Sequence, residues 1–241
     1  MNEILDNALD SLRMGLTIYL DEDFEKRQKW AILAIFHAIE LLCKERLYQE
    51  HRLLIYRNIN KAIDEDSQTV GLAECLDRFD NLGIDIPSEY AKIIIDLRRR
   101  RNRIEHHRFV PDASHDRVLG KALRFIVYFL EEHLGEEIEV HLPRNLFKKA
   151  KDLLLSYEQA LERARAAVES AIMRVDPDER DLVDTGMCPE CGNDTVLNDD
   201  NGFPFCHFCD EKVSMRMCER CGGYLPVGGL FGTSICPNCL S

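Results

Sequence analysis

Residues 98–109 read RRRRNRIEHHRF, and six of these twelve residues are arginine while two are adjacent histidines. Arginine binds phosphate through a planar fork of N–H donors, and histidine is the side chain that exchanges a proton near neutral pH. The stretch can therefore bind a phosphodiester and transfer protons at it, or it can be a solvated helix face.

The position of Arg101 argues against a uniformly solvated face. At about 100° per residue, one side of a helix here is apolar and is formed by Tyr90, Ile94, Leu97 and Ile104. Arg101 falls on that side, where an arginine needs a partner, a ligand or an interface. Asn102 and His106 are four residues apart, so the amide can orient the imidazole. Arg101 and His106, however, lie about 140° apart on a straight helix.

Eight cysteines near the end of the chain form a second candidate site. They occur as two copies of C-x2-C-x14-C-x2-C: Cys188, Cys191, Cys206 and Cys209, then Cys218, Cys221, Cys236 and Cys239. Two such pairs joined by a hairpin-length spacer can place four thiolates tetrahedrally around Zn²⁺. We predict two structural zinc sites, because four protein thiolates leave no open coordination position.

Several alternatives to this zinc scheme stay open. A redox motif would not recur four times without β-α-β context, and iron accepts similar four-cysteine sites. Equal spacers favour one zinc per repeat, but a cross-braced pairing uses the same eight cysteines. Residues 187–241 carry seven acidic side chains against three basic ones, which favours a protein partner or a folding cap over nucleic acid.

Length and composition describe a chain with a substantial core. The 241 residues are 45% hydrophobic and 31% charged, with a formal net charge of −12, which excludes nucleic-acid coating by bulk charge. No long uncharged apolar stretch predicts a membrane span, and the first residues lack a signal-peptide pattern. We therefore expect a cytoplasmic protein.

Residues 1–172 are predicted to be almost entirely helical. Helices are expected at about 24–47, which is apolar nearly all round, at 70–82, from Pro87 to before Pro111, from Ser114 to about Gly135, and at 143–173. The last carries a heptad seam: Ala150, Leu154, Tyr157, Leu161, Ala164, Val168 and Ala171. Packing within the chain is favoured there over an intermolecular coiled coil.

The arginine–histidine stretch resembles the R-x4-6-H motif of HEPN domains (higher eukaryotes and prokaryotes nucleotide-binding). Arg101, Asn102 and His106 match it as R-N-x-x-x-H, and His107 also satisfies the looser spacing. The upstream WAILAIFHAIELLCKERL is similar to the family's second helix. The resemblance implies an all-α, up-down helical bundle over residues 1–140. The residue pattern itself predicts a long helix at 141–173 and an acidic linker at 174–186, and residues 187–241 resemble tandem zinc ribbons with a small β region.

The resemblance also implies a function, since many HEPN proteins are metal-independent endoribonucleases with a composite site at a homodimer interface. We expect Arg101, Asn102 and His106 to be catalytic, with RNA contacts from Arg98, Arg100, His107 and Arg108. A toxin–antitoxin or antiviral role, with an antitoxin or other protein partner, is typical of such enzymes. The alternative is a non-catalytic adaptor that binds nucleotide, RNA or protein.

Glu40 is the remaining candidate. HEPN domains often carry a polar residue near this position that supports the site, and Glu40 lies with His37 and Lys44 on a polar stripe of an otherwise apolar helix. An ion pair between Glu40 and an arginine of the RRRR run is an equally good prediction, because unpaired carboxylates are seldom buried.

Overall fold

A computed structural model gives the fold of this chain. It describes residues 3–60, 62–106 and 114–178, and in the cysteine-rich part 186–188, 191, 193–198, 204–210, 212–213, 215–217, 220 and 224–226. The chain divides into two compact units, Met1–Ser156 and Tyr157–Ser241.

Helices make up most of the described chain. They are α1 (Glu3–Leu20), α2 (Arg27–Glu50), a 3-10 turn (Arg52–Ile55), α3 (Leu72–Leu82), α4 (Ser88–His106), α5 (Ser114–Phe129), a π-helical turn (Leu130–Leu134), α6 (Ile138–His141) and α7 (Arg144–Met173). The described part of residues 1–172 is mostly helical, as predicted. Among the described residues, no helix combines the length and the apolar character that crossing a bilayer requires.

Helix α2 lies at the centre of the first unit. It contacts α1, α3, α4 and α5, and Ile32, Ile35, Ile39 and Leu42 are all nearly inaccessible to solvent. This confirms the prediction of a central buried helix. Gly15 of α1 allows the close approach of α1 to α2, because a Cβ there would lie 2.7 Å from Ile35 Cγ1.

The helix that carries the arginine run packs through one apolar stripe. Ile93, Ile94, Leu97 and Ile104 of α4 are buried in the core of the first unit. Their spacing follows the helical repeat, so the opposite side of α4 is left for charged residues. The stripe therefore fixes the directions in which the arginines project.

The heptad seam of α7 packs within the chain. Leu146 and Ala150 belong to the core of the first unit. Tyr157, Leu161 and Ala164 belong to a separate core in the second unit, together with four cysteines. These residues pack within the chain, and the preference for this packing over an intermolecular coiled coil stays a prediction.

The second unit carries short antiparallel strands. Strands β1 (Gly186–Met187), β2 (Asp194–Asn198) and β3 (Pro204–Cys206) form a three-stranded sheet in chain order, and β4 (Met215–Met217) pairs with β5 (Tyr224–Pro226). In the first sheet Val196 pairs with Cys206 and Asn198 with Pro204. This hairpin brings the first and second cysteine pairs of one repeat to the same end of the sheet.

Candidate functional site

Arg101 lies along the surface of α4 against α2. Its guanidinium carbon is 5.6 Å from the centre of the Phe36 ring, and its side chain is 38% exposed. An arginine in this position can use its stem for packing and keep its N–H donors available. Arg101 therefore reaches the packed side of α4, as its place on the apolar stripe predicts, but it is not enclosed there.

Arg101 forms an ion pair with one neighbour on α4 and a hydrogen bond with another. Its Nη1 lies 2.9 Å from Glu105 Oε2 and donates to Asn102 Oδ1 at 3.2 Å. Between the described side chains of Asn102 and His106 the structure forms no hydrogen bond. The amide therefore contacts the arginine instead of the imidazole that the spacing suggested.

The remaining predicted residues of this stretch differ in exposure. Arg98, Asn102 and His106 are exposed, and Arg100 is half-buried. His107 and Arg108 lie outside the described residues. Because α4 is α-helical over Ser88–His106, Arg101 and His106 stay about 140° apart around the helix axis. One copy of α4 does not bring the two side chains to one point.

Glu40 is paired within its own helix. Its Oε1 accepts from Lys44 Nζ at 2.7 Å, and the same ammonium donates to Thr69 Oγ1 at 3.1 Å. Lys44 is buried, so Glu40 supplies the partner that a buried ammonium requires. This arrangement is neither of the two that the sequence left open, namely support of the Arg101 site or an ion pair with the arginine run.

Four cysteines of the first repeat converge in the second unit. The sulfur atoms of Cys188, Cys191, Cys206 and Cys209 all lie within 4.8 Å of one another. The Sγ atoms of Cys188 and Cys209 are 3.6 Å apart, as are those of Cys191 and Cys206. A disulfide needs about 2.05 Å, whereas a tetrahedron with metal–sulfur bonds of about 2.3 Å has edges of about 3.8 Å. The cluster fits a four-coordinate metal ion.

The cluster consists of cysteines from a single repeat. This matches the scheme in which each repeat would bind its own metal ion, and not the cross-braced scheme. Cys218, Cys221, Cys236 and Cys239, which were predicted to hold a second ion, lie outside the described residues.

Buried polar groups surround these sulfurs. Thr195 is fully buried, and its Oγ1 lies 3.3 Å from Cys206 Sγ. Hydrogen bonds from Cys188, Cys191 and Cys209 lower the pKa of the Cys206 thiol, with a smaller contribution from Thr195. Neighbouring sulfurs and burial instead raise the pKa of Cys191.

A buried hydrogen bond connects α7 to the first cysteine knuckle. Tyr157 Oη donates to Asn193 Oδ1 at 3.0 Å, and the Asn193 carbonyl accepts from Cys188 N at 2.9 Å. Phe208 packs edge-on against Tyr157, with ring centroids 5.4 Å apart. The heptad seam marked Tyr157 as a core residue, but nothing in the sequence indicated Asn193 or Thr195 as its surroundings.

The fold and sites define a mostly helical protein with a four-cysteine cluster of metal-binding geometry in its C-terminal region. Residues 3–166 match the family described as a domain of unknown function (DUF3644), and the chain belongs to that family. The match ends within α7, before the cysteine cluster. Neither the curated proteins nor the solved structures contain a match to this chain.

Proposed function

We propose that this chain is a metal-independent endoribonuclease of HEPN type, whose helices form an up-down bundle and whose site is composed across a homodimer. The observation that carries the proposal is the end of α4. Arg101 lies over Phe36 with its N–H donors reachable, while the neighbouring Asn102 and His106 are exposed. These are the groups that phosphodiester cleavage needs: a fixed cation and a proton-transfer group.

The proposed reaction is an attack by the RNA on its own phosphate. The 2′-hydroxyl loses its proton to a base, the 2′-oxygen forms a bond to phosphorus, and the bond to the 5′-oxygen breaks. That oxygen takes up a proton, so the products carry a 2′,3′-cyclic phosphate and a 5′-hydroxyl. His106 supplies one of the two proton transfers, because imidazole is the side chain best suited to both donating and accepting near neutral pH.

Arg101 has the electrostatic role. Charge grows on the non-bridging phosphate oxygens as the 2′-oxygen attacks, and a guanidinium stabilises that charge through paired N–H donors. Arg101 Nη1 forms an ion pair with Glu105 and a hydrogen bond to Asn102, and the guanidinium lies over the Phe36 ring. The guanidinium is thus oriented before RNA binds, which reduces the cost of ordering it. Arg98, Arg100, His107 and Arg108 are proposed to contact the RNA backbone.

The separation of Arg101 and His106 supports a dimer. On one α-helix the two side chains point about 140° apart, so a second α4 that faces the first can bring His106 of one copy to Arg101 of the other. A twofold axis makes both pairings equivalent. The helix geometry supports the proposal of a partner copy, the alternative being a helix that loosens before Pro111.

We further propose that the cysteine cluster holds Zn²⁺ in a structural role, within the first of two zinc ribbons. The sulfurs of three buried cysteines and the half-buried Cys209, at tetrahedral spacing, would complete the coordination sphere of the ion. Zinc would then stabilise the short β1–β3 sheet, whose apolar core is small. A cytoplasmic location, which keeps thiols reduced, agrees with this role. A toxin or antiviral role with an antitoxin or other protein partner stays a prediction of the resemblance.

An RNA cleavage assay tests the nuclease proposal. Wild type, His106→Ala and Arg101→Ala are incubated with a labelled RNA in the presence of EDTA, for short times so that the cysteine cluster is retained. Loss of either residue should slow cleavage by about a hundredfold or more. Arg99→Ala, an exposed arginine of the same helix, is the matched control and should cleave like wild type.

The contradicting result is cleavage that survives in both His106→Ala and Arg101→Ala, or a folded dimer that cleaves no RNA. The second candidate function, a non-catalytic adaptor, draws support from one contact. Asn102 bonds Arg101 and leaves the imidazole of His106 without the orienting amide. RNA binding that is lost in Arg101→Ala, without turnover in wild type, would favour the adaptor.

A further inference from the structure

A surface groove lies in the first unit between α5, the π-helical turn, α6 and α7. Its volume is about 330 Å³. Apolar side chains from these elements line it: Leu123, Val127, Ile138, Phe147, Ala150 and Leu154. Leu123, Ile138 and Ala150 are buried and form the floor, and the other three are half-buried.

The short helix α6 forms one wall of the groove and is held in place by contacts with neighbouring residues. His141 Nε2 lies 2.8 Å from Glu136 Oε2, and the His141 carbonyl accepts from Arg13 Nε at 2.9 Å. The next residue, Leu142, is buried in the core. These contacts hold α6 through its last residue, His141, and through Glu136 and Leu142, which flank the helix.

The groove combines apolar lining with charged residues at its edge. Six of its ten lining residues are apolar, and the other four are exposed charged residues. Exposed apolar surfaces rimmed by polar residues are typical of protein interaction sites.

Charges around the groove indicate the chemistry of its occupant. Glu131, Glu137 and Glu139 line it with Lys151 as the one basic lining residue, and all four are exposed. The lining therefore carries a net charge of −2, from three carboxylates and one ammonium. Such a lining attracts a positively charged partner and repels an acidic one.

This charge argues against two occupants from the same protein. A second copy carries a formal net charge of −12. The acidic segment 174–186 has five acidic residues against two arginines. The segment 174–186 would bring further negative charge to the glutamates. A second copy could complement them through its basic α4, which the proposed nuclease site already uses.

We propose that this groove binds a basic amphipathic helix of another protein. Leucine-like anchors spaced i, i+4 and i+7 extend about 10 Å along such a helix and would enter between Val127, Phe147 and Leu154. Lysines or arginines beside the anchors would pair with Glu131, Glu137 and Glu139. The interaction is separate from the arginine–histidine site and does not depend on nuclease activity.

A designed peptide pair tests the proposal on the full-length protein. The probe is a labelled helical peptide with leucines at i, i+4 and i+7 and lysines at its other positions. The comparison peptide has glutamates in place of those lysines. Fluorescence anisotropy should show binding of the basic peptide, with an affinity at least about tenfold above that of the acidic one.

Two variants locate the binding. Glu131→Lys/Glu137→Lys reverses exposed charges without altering the core, and should weaken the basic peptide about tenfold or more. Phe147→Ala should weaken it comparably by removing an apolar wall. Glu65→Lys, an exposed carboxylate outside the groove lining, is the matched control and should bind like wild type.

Three outcomes would overturn the proposal. The basic peptide does not bind, it binds all variants equally, or sedimentation shows a dimer of this chain that the charge-reversal variant dissociates. The last outcome would identify a second copy as the occupant. Because the charge-reversal variant changes only exposed residues, its folding can be verified by circular dichroism before binding is measured.

Discussion

Cys206 shows how the surroundings of one residue prepare it for metal binding. It ends β3, it is fully buried, and it lies beside Cys191 at 3.6 Å and Thr195 at 3.3 Å. A buried thiolate is costly unless hydrogen bonds or a cation stabilise it. Hydrogen bonds from Cys188, Cys191 and Cys209 lower the pKa of Cys206, with a smaller contribution from Thr195, and a metal ion would supply the cation.

Replacement of this one sulfur should abolish the proposed site. Cys206→Ser should reduce the bound zinc by one equivalent per chain, measured by elemental analysis after gel filtration, because a hydroxyl is a poor ligand where thiolate is required. Cys43→Ser, a buried cysteine outside the cluster, is the control and should retain the wild-type zinc content. Full zinc in Cys206→Ser, or none in wild type, would contradict the proposal.

The sequence predicted residue types better than residue partners. Cysteine spacing identified the four cysteines whose sulfurs lie together, because a C-x-x-C spacing is a local pattern. Arg101 was correctly expected on the packed side of α4. Its contact with Phe36 was not foreseeable, because that pairing depends on how α2 crosses α4. Glu40 was placed on the right helix, but its partner Lys44 was not recognised.

At the scale of elements, the π-helical turn Leu130–Leu134 has the most distinctive surroundings. His133 Nε2 lies 3.1 Å from Tyr128 Oη, and the Tyr128 ring stacks on Tyr90 with centroids 3.9 Å apart. Burial, and to a lesser extent Arg46, lowers the pKa of His133 against the opposing effect of Glu132 and Asp85. Burial raises the pKa of Tyr128 to about 12.

The lowered pKa of His133 predicts a loss of stability in acid. The unfolded chain takes up a proton near the ordinary value of 6.5, while the folded chain takes it up only at lower pH. Folding is therefore disfavoured as the pH falls below about 6.5. Below about pH 6.5, the unfolding free energy of wild type should fall more steeply than that of His133→Gln. The difference between the two slopes should be under about 1 kcal/mol per pH unit, because water screens a half-buried group.

Urea unfolding at a series of pH values measures this difference. His37→Gln, which replaces an exposed histidine, is the control and should keep the wild-type pH dependence. Identical curves for wild type and His133→Gln would show that the turn has no role in the acid response.

Helix positions were largely predictable because they depend on local patterns. The prediction of 70–82 became α3 at Leu72–Leu82, closed by Gly83 in the left-handed region, and 143–173 became α7 at Arg144–Met173. The helix expected to run from Ser114 to about Gly135 is α-helical only to Phe129 and continues as the π-helical turn. Apolar periodicity does not distinguish these two windings over a few residues.

At the scale of the whole molecule, an acidic chain contains one concentrated basic segment. The net charge is −12, yet α4 presents Arg98 to solvent beside the half-exposed Arg101. A local basic site in an acidic protein would select RNA by contact geometry more than by long-range attraction. The homodimer stays a prediction, because an interface is formed by surfaces from separate chains.

The most direct test of the central claim is cleavage of a matched RNA pair by the wild-type protein. One oligonucleotide is all-ribose, and the other carries a single 2′-deoxy nucleotide at the mapped cleavage position. In EDTA, the first should be cut to a 2′,3′-cyclic phosphate, and the second should be cut at that position at least about a hundredfold more slowly. Equal cleavage of both, or of neither, would contradict an RNA-cleaving site at Arg101 and His106.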